Sequence, residues 1–480
     1  MSSPTSGAAV RPFGMRDKVG YMFGDFGNDF MFVLASSFLM VFYTKVMGIP
    51  GAAVGLLFLI ARIIDAFADV TVGIIVDRSP NTPRGKYRVF MMKMAAPAVI
   101  FSFLMYQSFF VNSSMGVRMA YMYVTYIIWG ILYSCVNIPY GSMASVISPE
   151  PAHRTSLSAF RSVGASCAGL VIGAGTPLII YEKDAAGNQI IRGGEGSNIF
   201  MWVSLVFAIC SFLCYFICYS LSTERVKAED HHQADAEAER KSIMHMVSSA
   251  FSSRSMVGIL GSALALLMAM LFLGQMVNYL YADYFHNVGA LSIVSILVSL
   301  TVVVLAPFAG PLAKRFGHKT MAVSGALLGT IGMSVLYFLH TQNVVVFSAL
   351  YVATYFGIGL FNVICWAMIT EVIDDIEVKK GMREDATCYS VYSFARKLGQ
   401  AFAGWFSGAA LTWIGYKEGA TAVQSQETLD GLYRYATLLP AVFFAIMLVV
   451  LIFVYPLNKK RVDANAAFLK AKRVAGETEA

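Results

Sequence analysis

The sequence predicts an all-α polytopic membrane protein of twelve transmembrane helices in two pseudo-symmetric halves, and three observations carry that expectation. Hydrophobic residues make up 57% of the 480 and charged residues only 14%, a balance foreign to a soluble chain of this length. Apolar runs of about 20 residues recur from end to end, each long enough to cross a bilayer core as a helix. The Lys and Arg residues, 36 in all, concentrate in alternate loops, the asymmetry that places basic loops on the cytoplasmic side. Runs of that length, rather than ten-residue alternations, exclude an outer-membrane barrel. The net charge of +7 is then a topology signal and not the footprint of a nucleic-acid partner.

Hydropathy places the spans at 20–46, 51–76, 89–111, 118–146, 158–182, 198–221, 255–282, 289–312, 320–341, 343–371, 386–415 and 432–456. An even number puts both termini on one side, and the basic loops make that side cytoplasmic. The long polar break at 222–253 divides the chain into a cytoplasmic tail 1–19, a six-helix bundle 20–221, a cytoplasmic linker 222–253, a second bundle 254–456 and a cytoplasmic tail 457–480. His231 and His232 in the linker are read as solvated surface, not a metal tract. The first 19 residues lack the apolar core of a cleavable signal, so the first span is expected to be an uncleaved anchor. All seven cysteines lie in or beside apolar segments, which gives no disulfide framework. Cys210, Cys214 and Cys218 recur every fourth residue, a face suited to close helix packing. Lys459, Lys460 and Arg461 form a stop-transfer flank able to meet anionic lipid.

Charges inside the spans point to function. Span one carries Asp25 and Asp29 one turn apart in YMFGDFGNDFMF, with Gly24 and Gly27 allowing close approach; Asp29, the deeper, is the ligand-facing candidate. Span two holds Arg62, Asp65 and Asp69 on one helix face. An ionisable group near the bilayer centre costs roughly 3 kcal/mol, so the trio marks a place where a cation can be held. The span ends in GIIVDR followed by RGK, where Gly73, Asp77, Arg78, Arg84 and Lys86 form a candidate gate. In span four, NIPYGSM places Pro139 so that Ser134 and Asn137 can present oxygens, with Tyr140 beside them. Span five opens with Arg161. Span eleven brings Tyr389, Tyr392 and Ser393 before Arg396 and Lys397, aromatic faces and polar donors of the kind that hold a sugar. The basic turns after spans two and eight echo each other, as do Asn137 to Arg161 and Asn362 to Arg396, the internal repeat of transporters that rock around a midplane site. No P-loop and no nucleophile–base set appears, so the chain is read as no enzyme and as needing no cofactor.

Together YMFGDFGND, FYT before a Gly-Ile loop, ARIIDAFAD, GIIVDR with RGKYR, NIPYGSM, EVIDDIE with GMRED, and Lys397 resemble the glycoside-pentoside-hexuronide cation symporter family, the melibiose-permease-like branch of the major facilitator superfamily, along nearly the whole chain. The resemblance implies the major facilitator fold, Na+ or H+ symport with a sugar, glycoside or hexuronide, and a bacterial inner membrane. It makes Asp65 and Asp69 the paired cation carboxylates with Ser134 near them, Asp29 and Arg161 sugar-binding positions, and Lys397 the span-eleven lysine near both sites. Asn137 stands where melibiose-type members have an aspartate, Gly141 where they have tryptophan, and Val70 where a proline is common. Arg396 adds a cation; either it suits a substrate carboxylate, such as that of a hexuronide, together with Arg161 and Lys397, or it pairs with Asp29. The expectation is therefore a membrane-embedded cation-coupled sugar symporter that functions as a monomer; the alternatives are a cation-coupled lysolipid or other amphiphile carrier and a non-transporting sensor.

Overall fold

The computed structural model describes residues 11–226, 253–380 and 385–478; the linker histidines fall outside them. Within these residues the chain is helical almost throughout. The helices are α1 (Met15–Val41), α2 (Gly51–Arg78), α3 (Tyr87–Leu104), α4 (Met115–Ile147), α5 (Pro151–Ile180), α6 (Ile199–Leu221), α7 (Arg254–Tyr279), α8 (Val288–Phe316), α9 (His318–Leu339), α10 (Val344–Lys380), α11 (Asp385–Trp413), α12 (Gln426–Val449) and α13 (Lys459–Thr478). Ten helices among the described residues are long and apolar enough to cross a membrane. Of the other three, α8 adds a shorter apolar stretch, Val288–Thr301, α11 carries Arg396 and Lys397 within it, and α13 is the polar helix of the tail.

The chain divides into two compact units. The first holds the chain up to Ala35 with Ile64–Ile172 and Asn198–Gln233; the second holds Ser36–Ile63, Gly173–Ser197 and the chain from Ala234 on. In the first, α3 packs on α4 and α6. Small residues seat α1 there. A Cβ on Gly27 would stand 3.1 Å from Cys214 Cβ, one on Gly24 would strike the Tyr140 ring and Cys218, and one on Gly164 would lie 2.5 Å from the Met22 carbonyl. The cysteine face of α6 is thus a packing seam, as its four-residue spacing predicts, and all seven cysteines are free.

In the second unit α7 packs on α11 and α12, and α9 on α10 and α12. The hairpin from Ser36 to Ile63 joins it through backbone contact: a Cβ on Gly55 would meet the Trp405 carbonyl at 2.9 Å, and a Cβ on Gly408 would collide with Gly51. The Ala52 N–H donates to Thr412 Oγ1 at 2.9 Å.

Two local features differ from the hydropathy pattern. Span five stops at Ile180, and the chain forms a two-stranded antiparallel hairpin, β1 (Tyr181–Lys183) and β2 (Gln189–Ile191). The turn chemistry explains it. Asp184 Oδ1 accepts the N–H of Ala186 at 2.9 Å and of Asn188 at 2.8 Å, and Gly187 takes φ +86°. Hydrogen bonding, led by the Asn188 side chain, holds the Asp184 carboxyl below its usual range. The tail forms α13, whose start is capped by Asn458 Oδ1 accepting the Arg461 N–H at 2.9 Å. Buried Asp375 on α10 then accepts from Arg461 at 2.9 Å, Lys379 at 2.7 Å and Ser255 at 2.8 Å, tying α13 to the unit.

Candidate functional site

The first unit gathers most of the predicted polar residues of the first half. On α2, Asp65 is buried and Asp69 half-buried. Ser134 of α4 donates to Asp69 Oδ1 at 2.6 Å, and Asp65 Oδ1 faces Gly130 so closely that a Cβ there would stand 2.5 Å away. The two carboxylates and the hydroxyl therefore face the same α2–α4 seam. Oxygen donors of that kind suit a hard monovalent cation or a proton. Among the described residues no group of three or more His, Cys, Asp or Glu is placed to hold a metal ion.

Beside it lies a second polar layer. Arg161 Nε of α5 donates to Asp25 Oδ1 at 2.8 Å, with the Asp25 side chain 8% exposed and the Arg161 side chain 44%. The guanidinium also stands over the Tyr140 ring, 5.5 Å from its centre. Tyr140 is fully buried, stacks on Tyr21 and donates to the Tyr21 carbonyl at 2.7 Å. Tyr215 donates to Asn28 Oδ1 at 2.7 Å, and Asn28 Nδ2 donates to Asn137 Oδ1 at 3.3 Å. Asp29 is half-buried one turn beyond Asp25. Arg161 is thus engaged by Asp25. Gly141 has open space where a side chain would go, and α4 runs unbroken through Pro139.

In the second unit, Arg396 of α11 stands 5.7 Å from the Trp366 ring centre and 5.9 Å from that of Tyr392. The Trp366 and Tyr392 rings meet edge to face at 5.4 Å. Tyr389 and Thr370 share a hydrogen bond at 3.3 Å. Arg396 Nη1 and the Tyr392 hydroxyl are both buried without a well-formed hydrogen bond, and Tyr392 lies close enough to Arg396 and Cys365 to interact with both. Lys397 is half-buried and Ser393 exposed.

The predicted gate loop is anchored inside the first unit. Glu224 accepts the N–H of Lys86 at 2.8 Å and of Arg88 at 2.7 Å, so one carboxylate caps the start of α3. Arg78 and Arg84 are exposed, Gly73 has no neighbour where a Cβ would stand, and the Asp77 side chain lies outside the described residues. Two groups escaped the sequence reading. Glu224 was hidden in the linker by its charged neighbours. Lys45 pairs with Asp283 at 2.5 Å, and the only signal for it was a charge at the polar end of an apolar run. The apolar groove between α3 and α6, about 270 Å³ and lined by residues such as Val99, Phe103 and Phe212, offers no polar group to a lipid head.

Comparison with known proteins identifies the family. The family model described as MFS/sugar transport protein matches residues 20–459. The chain is 32% identical over 456 residues to a glucuronide carrier protein homolog of Escherichia coli, covering 93% of each. It is 30% identical over 450 residues to an uncharacterized symporter of Bacillus subtilis, again covering 93% of each. The solved nucleoside transporter NupG superposes with a TM-score of 0.63 at 11% identity, over 92% of this chain and 100% of the other. That last likeness shows the major facilitator fold. The chain belongs to the MFS/sugar transport protein family and is a multi-pass membrane transporter, not an enzyme.

Proposed function

We propose that the protein is a cation-coupled symporter of an anionic sugar, a hexuronide or a glycoside bearing an acidic group, working by alternating access. Its twelve spans form two six-helix bundles, it works as a single chain in a bacterial inner membrane, and both termini are cytoplasmic. Asp65, Asp69 and Ser134 hold the coupling Na+ or H+. Asp29, Asn137, Tyr140, Arg161, Tyr392, Ser393, Arg396 and Lys397 serve the substrate. The loop carrying Gly73, Asp77, Arg78, Arg84 and Lys86 gates the cytoplasmic side.

The observation that supports the acidic substrate is Arg396. Its Nη1 is buried without a well-formed hydrogen bond, beside the Tyr392 hydroxyl and the face of Trp366. A buried donor on a guanidinium left unsatisfied is costly, and a carboxylate is the acceptor that relieves it best. Trp366 supplies the apolar wall on which the C–H face of a sugar stacks. Arg161, by contrast, already has a carboxylate in Asp25. The glucuronide carrier homolog fits the same substrate chemistry.

Uptake of a radiolabelled glucuronide and of the matching neutral glucoside into energised vesicles tests this, with Na+ and pH gradients imposed separately. The glucuronide accumulates under one gradient, Asp65→Asn abolishes accumulation, and Arg396→Ala lowers glucuronide uptake about 10- to 100-fold, the worth of a charge-assisted hydrogen bond. If neutral glucoside uptake is unchanged in Arg396→Ala and no uronide competes, the acidic-substrate reading is wrong.

A further inference from the structure

The ends of α1 and α7 are structural copies. Each helix finishes in one π-helical turn, Phe42–Val46 and Leu280–Tyr284. In each, the next N–H returns to the first carbonyl of the turn, Met47 to Phe42 at 3.0 Å and Phe285 to Leu280 at 2.9 Å. The N–H two residues further on returns to the second, Ile49 to Tyr43 at 2.9 Å and Asn287 to Tyr281 at 2.8 Å. The fourth residue is Lys45 in one turn and Asp283 in the other. These two equivalent side chains meet. Lys45 Nζ lies 2.5 Å from Asp283 Oδ1, with side-chain exposures of 4% and 7%.

The surroundings complete the pair. Tyr416 donates to the second carboxylate oxygen, Asp283 Oδ2, at 2.5 Å. Burial and the neighbouring Asp283 hold the Tyr416 phenol well above its usual range, so it remains a donor. Thr44 and Tyr279 share a hydrogen bond at 2.8 Å, and the Lys45 ammonium stands 5.6 Å from the Tyr181 ring centre. Asn278 Nδ2 donates to the Ser37 carbonyl at 2.9 Å, and the Gly419 N–H to the Thr44 carbonyl at 3.2 Å. All of this lies within the second unit, where the Ser36–Ile63 hairpin is held.

A buried ion pair adds little net stability over an apolar pair, because desolvation offsets the Coulomb gain, yet losing one partner is severe. Such a pair has two favourable states, dry and joined or wet and apart. Those are the states of a gate. We propose that Lys45, Asp283 and Tyr416 are gate residues for the end of α1 remote from the N-terminus: the pair is joined when that face is closed, and parts with both charges hydrated when it opens. Drawing them from equivalent turns of the two halves makes one closure engage both halves of the internal repeat. π turns recur at functional sites and place the paired side chains at the mouth of each helix. The proposal rests on the alternating-access reading, but its test needs no substrate.

The test follows a cysteine at Val46, which is 4% exposed on the same turn and makes none of these polar contacts. In Val46→Cys, labelling by a membrane-impermeant methanethiosulfonate is timed from the side opposite the termini, and the same protein without that cysteine supplies the background of native thiols. Adding Asp283→Asn raises the labelling rate at least fivefold, while the exchanged pair Lys45→Asp with Asp283→Lys returns it to within about twofold of the parent. Tyr416→Phe, which removes a hydrogen bond but no charge, gives a smaller rise, and it stands in should Asp283→Asn not reach the membrane. Unchanged labelling in Asp283→Asn or, in its absence, in Tyr416→Phe overturns the gate. So does an exchanged pair that labels as fast as Asp283→Asn. Absent sugar uptake with this labelling pattern intact would reject the substrate reading and leave the gate standing.

Discussion

Ser134 gives its hydroxyl hydrogen to Asp69, and on cation binding the same oxygen can turn a lone pair to the ion. Ser134→Ala removes both roles, and a hydrogen bond to a charged group contributes about 1.5–3 kcal/mol. The cation concentration for half-maximal uptake should then rise about tenfold or more, with substrate affinity at saturating cation little changed. A shift of both together would place Ser134 elsewhere in the cycle. Gly130→Ala probes the partner carboxylate, because the new methyl would stand 2.5 Å from Asp65 Oδ1. The carboxylate is the end of a side chain and swings aside, so the variant should fold normally yet show the uncoupled uptake of Asp65→Asn; coupled uptake at parental level would mean that the position of Asp65 is not critical. Much of this site was legible in the chain, since Asp65 and Asp69 stand out as charges within an apolar run. The partner of Arg161 was not. Asp25 and Asp29 share one face of α1, and which of them meets Arg161 depends on how α5 slides along α1, a register set by Gly164 against the Met22 carbonyl.

At the scale of helices, the same small residues that permit close approach also make the seams intolerant. A methyl on Gly24 would strike the Tyr140 ring and Cys218, whereas Gly73 has open space around it. Overpacking costs about 1–3 kcal/mol, so Gly24→Ala should lower the melting temperature in detergent by roughly 2–10 °C. Gly73→Ala should leave it unchanged or raise it slightly, because alanine favours a helix over glycine by about 1 kcal/mol. If Gly73→Ala nonetheless slows transport, the loss belongs to gating and not to folding; equal melting temperatures for the two variants would refute the packing argument. The α6 cysteine seam could be read from a four-residue spacing, which fixes a face whatever lies against it. The hairpin after α5 could not, because its strands Tyr181–Lys183 and Gln189–Ile191 are three residues each, too short to show a two-residue period, and the polar residues between them read as a plain loop. The π turns at the ends of α1 and α7 were equally hidden: one extra residue in a helical turn leaves no mark in hydropathy.

For the molecule as a whole, the proposed ligands fix how transport responds to voltage. A carboxylate pair holding one monovalent cation, loaded with a substrate of charge −1, carries no net charge across the membrane. A neutral sugar on the same carrier would carry one. Each charge moved through 100 mV is worth about 2.3 kcal/mol, which corresponds to roughly 50-fold accumulation at 1.4 kcal/mol per tenfold. In proteoliposomes with a fixed cation gradient, imposing 100 mV with a potassium ionophore should therefore change steady-state glucuronide accumulation less than about twofold. Any neutral glycoside the carrier accepts should respond by about 50-fold under the same potential. A strong voltage response for the glucuronide would mean that more than one cation travels with it, and the surplus charge would have to be housed beyond Asp65 and Asp69. Asp29, half-buried and one turn past the Asp25–Arg161 pair, is the carboxylate to neutralise next: if Asp29→Asn made uptake voltage-insensitive while accumulation persisted, the second charge would sit there, and if voltage sensitivity survived, Asp29 would be confined to the substrate.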